Sequence, residues 1–145
     1  MTHQAPLFGS SYIHISEYIC MKNCITDRWS KYTVTVFPIV YDPEKESQAV
    51  VKSMMKELLR DKYYRRSTHN TYARRVLHPD GVILEWMNDD GETRAAKCIM
   101  RELQLGGVVD GLVIVTRYFW WVMLHADRFR HVVDATRLLL VKLNK

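Results

Sequence analysis

The run GLVIVTRYF, residues 111–119, decides the fold. Leu112, Val113, Ile114 and Val115 follow one another with no polar residue between them. Neighbouring side chains of a strand point to opposite faces, so a strand that is apolar at every position is buried on both. Such a strand belongs in the middle of a sheet. Beyond it the chain passes through Tyr118, Phe119, Trp120 and Trp121 and reaches ADRFRH, residues 126–131. An aromatic block therefore lies between an aliphatic run and a run of arginines.

The segments around this strand read in order. NTYARRVL (residues 70–77) and VILEWM (82–87) are strands on either side of HPDG (78–81), whose Pro-Asp-Gly is turn chemistry, so the pair forms a hairpin. NDDGE (88–92) is a loop. From Glu92 to Leu105 the pattern is helical: Ala95, Cys98, Ile99 and Leu103 share a face, and Gly106-Gly107 ends it. DRFRHVVDATRLLLVKL (127–143) is a helix with an apolar stripe through Phe129, Val132, Val133, Thr136, Leu139, Leu140 and Leu143.

Towards the N-terminus, KYTVTVFPIV (31–40) is a strand that Pro38 ends or places at an edge. It is followed by a helix over 41–63 in which Asp42 caps, Pro43 takes the first position, and Val50, Val51, Met54, Met55, Leu58 and Leu59 form one face. YIHISEYIC (12–20) alternates like a short strand, and NCITDRWS (23–30) breaks the pattern. This order gives an α+β domain: a two-layer mixed sheet with helices on one face. Residues 1–24 read as an N-terminal arm and lead-in strand, and 25–145 as a single domain.

Composition narrows the function. The chain has 145 residues, 48% of them hydrophobic, and a formal net charge of +5. That suits one packed domain with an acidic partner, nucleic acid included, or simply a solvated basic surface. Three cysteines, Cys20, Cys24 and Cys98, without a C-x-x-C pair read as free thiols, neither a disulfide framework nor a zinc site. MTHQAPLFGS lacks the basic and apolar regions of a secretory signal, and no apolar run is long enough for a membrane span. The expectation is a cytoplasmic protein without a membrane.

Four motifs carry a family resemblance: TDRWSKYTV (26–34), THNTYARRV (68–76), NDDGET (88–93), and VVDGLVIVTRYF with DRFRHV (108–119 and 127–132). In this order they resemble the IMPACT family, which includes bacterial YigZ, and DRFRHV resembles its eukaryotic branch. The resemblance covers residues 25–143. It implies the fold of ribosomal protein S5 domain 2. It implies a regulatory, non-enzymatic binding module acting through a cytosolic protein partner in translation control, on the amino-acid-starvation kinase pathway. It implies no cofactor, and it makes this chain the core domain alone, without the RWD domain of eukaryotic members or the second domain of bacterial ones. Carried over by motif position, the candidate binding residues are His69, Asn70, Asp89, Asp90, Gly91, Glu92, Thr93, Arg117, Tyr118, Phe119, Trp120, Trp121, Asp127 and Arg128.

The chain departs from the family at glycines. Trp29, Ala96, Trp120, Trp121 and His125 stand where glycine is usual. Glycine allows positive φ or close approach, and a larger residue restricts both. The tryptophans thus fill a family concavity, or form a new apolar patch for a partner or a second copy of the chain, or one of the adjacent pair simply points into the core.

Asp89, Asp90 and Glu92 offer paired carboxylates for a proton or a metal, or the acidic first turn of a helix. The second reading is favoured, and no metal site is expected. His69 with Asp90 is a candidate acid–base pair, but no activated nucleophile accompanies it, and the sequence does not point to catalysis. Basic residues are the stronger lead. Lys62, Arg65, Arg66, Arg74 and Arg75 alternate with Tyr63, Tyr64 and Tyr72, and Arg94, Lys97 and Arg101 stripe one helix face. Arginine beside aromatics suits phosphate contacts and base stacking, so these eight are the candidate contacts to RNA or the ribosome.

Overall fold

The computed structural model describes residues 2–4, 11–27, 30–45, 47–119 and 127–144. Eight strands and four helices follow in the order β1 (Thr2–Gln4), β2 (Ile13–His14), β3 (Ile19–Asp27), β4 (Ser30–Pro38), α1 (Ser47–Leu58), α2 (Lys62–Arg65), β5 (His69–Leu77), β6 (Val82–Asn88), α3 (Ala95–Leu105), β7 (Val108–Val109), β8 (Gly111–Phe119) and α4 (Asp127–Leu143). Six strands form one sheet in the order β1-β6-β5-β8-β4-β3, and β2 pairs with β7 in a separate two-stranded ribbon. The long apolar strand is central, hydrogen-bonded to β4 on one side and β5 on the other. The architecture is α+β.

Both faces of β8 are buried, as its composition requires. Val113 and Val115 join a core with Tyr32, Val34 and Val36 of β4, Ala73 of β5, Ile99 and Leu103 of α3, and Ala135 and Leu139 of α4. Leu112 and Ile114 point the other way and pack with Val51 and Leu58 of α1 and Tyr64 of α2. The helices therefore do not all lie on one face: α3 and α4 cover one side, α1 and α2 the other. The expectation of a single helical layer overlooked its own premise, since a strand apolar on both sides needs a cover on both. β4 shows the same division. Its Thr33 and Thr35 hydroxyls meet the Tyr63 and Tyr64 hydroxyls of α2, opposite the valines that face α3 and α4.

Strand direction corrects a second expectation. Every pairing within the six-stranded sheet is antiparallel, and the parallel pair is the small β2–β7 ribbon. β4 and β5 run parallel to each other but are separated by β8, and β6 and β8 are parallel across β5. The two crossovers, β4-α1-α2-β5 and β6-α3-β8, pass over opposite faces. They also move in opposite directions across the sheet and join strand pairs that run antiparallel to each other; three reversals give opposite hands, so one departs from the right-handed rule.

Local chemistry explains the remaining differences. Residues 23–27 do not break the chain out of the sheet: β3 continues through them to Asp27, with a register shift between Met21 and Ile25 and Asn23 at φ 51. Here β3 advances four residues, Met21 to Ile25, while β4 advances two, Val34 to Tyr32, and the two extra residues disrupt the alternation that signals a strand. β3 thus spans the boundary expected between an arm and a domain, and Ile15 and Ile19 are core residues. Asp42 does not cap α1. Its carboxylate accepts from the Glu44 amide at 2.9 Å in a local turn, and the helix starts at Ser47. Asp110, at φ 63 between β7 and β8, fastens the N-terminal segment: one carboxylate oxygen accepts from the Leu77 amide at 3.1 Å and the other meets His14 Nδ1 at 2.6 Å.

Ile15 also lies directly over Gly111, where an added Cβ would overlap its side chain, with Cβ and Cγ1 of Ile15 at 3.0 Å. Gly111→Ala is expected to lower stability by about 1–3 kcal/mol through overpacking. Adding Ile15→Ala should recover part of the loss in a urea-unfolding double-mutant cycle. Additive effects would show that residues 13–19 do not pack on β8.

Candidate functional site

Odd-numbered residues of β8 face α3 and α4, so Arg117 follows Val113 and Val115 into that interior. It is 6% exposed. Its charge is met by Glu92, buried on the loop after β6: Nη1 donates to Oε1 at 2.7 Å and to Oε2 at 3.0 Å. Ser30 Oγ, at the start of β4, accepts from Nη2 at 3.5 Å. Two further basic groups converge on Glu92, His69 Nε2 at 3.2 Å and Arg128 Nε at 3.9 Å. His69 turns its other nitrogen to the Asp90 backbone carbonyl, to which Nδ1 donates at 2.8 Å. Both ring nitrogens therefore face oxygen acceptors. Gly91, at φ +83, makes room for the ring, because a Cβ there would stand 3.3 Å from it.

Tyr32 lies beside this cluster, its ring 6.0 Å from the Arg117 guanidinium and 5.5 Å from the His131 ring. Burial pushes its phenol up to about 12. A cavity of about 140 Å³ opens on the cluster, lined by Thr68, His69, Gly91, Glu92, Thr93, Arg117 and Arg128.

The acidic turn is tied down by its own side chains. Asp89 accepts from the Ala96 amide at 2.9 Å and the Arg94 amide at 3.1 Å, so its carboxylate satisfies the orphan donors that begin α3. Asp90 accepts from the Asn70 amide at 2.7 Å. Asn70 donates from its side chain to the Tyr64 carbonyl at 3.0 Å and accepts from the Thr116 hydroxyl at 2.7 Å. The favoured reading of the acidic run, a helix start, is what Asp89 does. The pairing of His69 with the Asp90 carboxylate is corrected: the histidine meets the Asp90 main chain and the Glu92 carboxylate. Among the described residues no group of His, Cys, Asp or Glu is arranged to hold a metal ion.

Other sequence candidates are dispersed. Tyr118 faces away from Arg117, across the sheet, and packs against Tyr63, the ring centroids 4.9 Å apart and the planes tilted by 45°. Trp29, Trp120, Trp121, His125 and the side chains of Phe119 and Asp127 lie outside the described residues. Ala96 is buried inside α3 with no positive φ, so this former glycine position carries no backbone strain; the positive φ falls on Arg94, at 70.

Arg74 and Arg75 are corrected as nucleic-acid contacts. They are only 1% and 4% exposed. Arg75 pairs with Glu85 at 3.2 Å and donates to the Leu103 carbonyl at 2.9 Å. Arg74 lies over the Trp86 ring at 4.9 Å, and burial lowers its pKa to about 10. Lys62, Arg65 and Arg66 are exposed on α2, while Arg94, Lys97 and Arg101 are exposed on or beside α3, across the sheet. One surface cannot use both sets. Reading for Arg-Tyr alternation also missed three exposed cations, Lys52, Lys56 and Arg60. Their four-residue spacing was the available signal.

The Impact N-terminal domain model matches residues 28–140. The chain belongs to the IMPACT family. It is 34% identical over 121 residues to Protein IMPACT of Mus musculus, 33% to that of Bos taurus and 31% to that of Homo sapiens, covering 83% of this chain in each case. The match spans only 36% of the length of each of these relatives. Among solved structures, the two-domain translational regulator Yih1 is similar at TM-score 0.54 and 23% identity, over 97% of this chain and 54% of Yih1. A hypothetical protein is similar at TM-score 0.57 and 18% identity, over 89% of this chain and 61% of that one. At these identities the likeness to both structures is one of fold.

Asp89 provides a direct check on the site's construction. Asp89→Ala is expected to destabilise the domain by about 1 kcal/mol by removing the α3 cap, read as a lower unfolding midpoint in urea. An unchanged midpoint would mean that the carboxylate does not hold the helix start.

Proposed function

We propose that this IMPACT domain is a non-enzymatic regulatory module of translation that works by protein contact. The observation that carries the reading is how the motif residues are used. Glu92 is held by Arg117, Asp89 by the α3 amides and Asp90 by Asn70, so the motif builds a rigid surface and, among the described residues, leaves no activated nucleophile beside His69. Rigid placement of polar groups around a small cavity suits recognition of a partner's main chain or side chain. Thr68, His69, Thr93 and Arg128 are the side chains on that cavity with exposed surface. Membership of the IMPACT family and the likeness to Yih1, described as a translational regulator, support the setting. The partner we assign is a cytosolic protein of the pathway that controls the amino-acid-starvation kinase, and the location is the cytoplasm.

A second reading, RNA or ribosome binding, draws on α2. Lys62, Arg65 and Arg66 are exposed there, Tyr63 packs against Tyr118, and Lys22 Nζ lies 4.4 Å over the Tyr63 ring. Cations around neighbouring aromatic rings suit a nucleic-acid strand.

Affinity capture from cytosolic extract, with and without nuclease, separates the two. The regulatory reading expects translation-control proteins to be retained after nuclease treatment. Recovery that disappears with nuclease would favour RNA, and recovery of no specific protein under either condition would contradict the regulatory reading.

A further inference from the structure

A second cavity lies away from the motif cluster. It is a groove of about 520 Å³ on the opposite face of the sheet, between α1 and the ends of β5 and β6. Four cations line it, Lys52, Lys56, Arg60 and Arg65, against one carboxylate, Asp90. The Asp90 carboxylate already accepts from the Asn70 amide. The lining thus carries an excess of three positive charges, four minus one, in a chain whose formal net charge is +5; Arg60 is also paired with the exposed Glu57 beside the groove, at 3.4 Å. Like charges this close repel one another, and an anionic occupant relieves that repulsion.

The spacing of the cations is regular. Lys52 and Lys56 lie four residues apart on α1, and Arg60 continues the interval just past its end. Four residues of helix advance about 6 Å, so the charges form a row along the groove. A second row is apolar. Met55 and Leu59, again four apart, line the groove with Tyr72 of β5. Leu59 is 38% exposed, a large aliphatic side chain left at the surface.

We propose that this groove docks an acidic amphipathic helix from a protein partner. A helix with carboxylates at four-residue spacing and an apolar stripe beside them reproduces both rows, which is the helix-in-groove mode of recognition. RNA fits less well. Strand-binding grooves stack successive bases on several aromatics, and this one offers a single ring, Tyr72, among thioether and aliphatic walls that suit leucine-like side chains. The inference rests on the reading that the domain acts by protein contact, and it names the surface and the chemistry of the segment bound there.

The test uses the full chain and a fluorescent, synthetic 18-residue helix with glutamates four apart beside a leucine stripe. A scrambled peptide of the same composition and an oligouridine 12-mer are the comparisons, and binding is read by anisotropy. Lys52→Glu/Lys56→Glu should weaken the helical peptide about tenfold, through loss of attraction and added repulsion. Lys31→Glu/Lys142→Glu, the same charge change elsewhere, should leave it within about twofold. Leu59→Asn should weaken the peptide about threefold without affecting oligouridine, because it removes only apolar contact. These substitutions are at exposed positions, and circular dichroism verifies that each variant is folded.

The proposal is overturned if the scrambled peptide binds as well as the helical one, if oligouridine binds more tightly through Lys52 and Lys56, or if no peptide binding is seen at millimolar concentration. If the peptide fails while nuclease-resistant protein partners are still captured, the groove is rejected and the regulatory reading stands. If capture fails as well, both fall.

Discussion

Arg117 ends the buried part of the central strand, and its charge has to be answered inside the protein. Removing an arginine from water is expensive, and attraction to a partner offsets that expense only with close geometry and filled hydrogen bonds. Glu92 supplies this, with both carboxylate oxygens on one guanidinium nitrogen and Ser30 on another. Glu92 can occupy that position only if the turn before α3 is fixed, which Asp89 ensures by binding the first α3 amides. His69 and Arg128 then bring β5 and α4 to the same carboxylate. The pair's contribution lies less in net stability than in arrangement: sheet, turn and both helices of that face are registered on one carboxylate.

The strand itself imposes the second constraint. Because β8 is apolar on both sides, the chain covers both, and its two crossovers take opposite faces. Adjacent residues of β8 therefore serve different surfaces. Arg117 belongs to the motif cavity under α3 and α4, and Tyr118 to the side of α1 and α2, where it meets Tyr63. A motif contiguous in sequence is thus divided between two faces. The basic residues are divided in the same way, so the domain has two chemically distinct surfaces: a small polar cavity around a buried ion pair, and a cationic groove with an apolar wall.

Elements with strong local patterns were legible in the sequence. The hairpin at HPDG, the central strand, α3 and the full extent of α4 follow from turn residues and periodicity that no long-range contact overrides. β3 was not legible, because the bulge at Asn23 breaks its alternation. The start of α1 was obscured by Asp42, whose carboxylate serves a local turn as readily as a helix. The site was half legible. Motif positions identified Arg117, Glu92 and His69, but not that Glu92 joins them, since its partners lie 25 and 23 residues away. Arg74 and Arg75 look like surface residues beside tyrosines. Only pairing with β6 reveals Glu85 and Trp86 as their neighbours, and a strand residue's face is set by pairing, not by its own chemistry.

The most direct measurement of the ion pair's role is its coupling energy, from urea unfolding of Glu92→Gln, Arg117→Met and the double variant. Each single change leaves a buried group poorly matched and should destabilise the domain by about 3 kcal/mol. The double variant should lose clearly less than the sum, with a coupling of about 1–3 kcal/mol. Additive losses would contradict the account, because they would mean that Arg117 and Glu92 do not depend on each other and that the turn, the sheet and the helices are registered by something else.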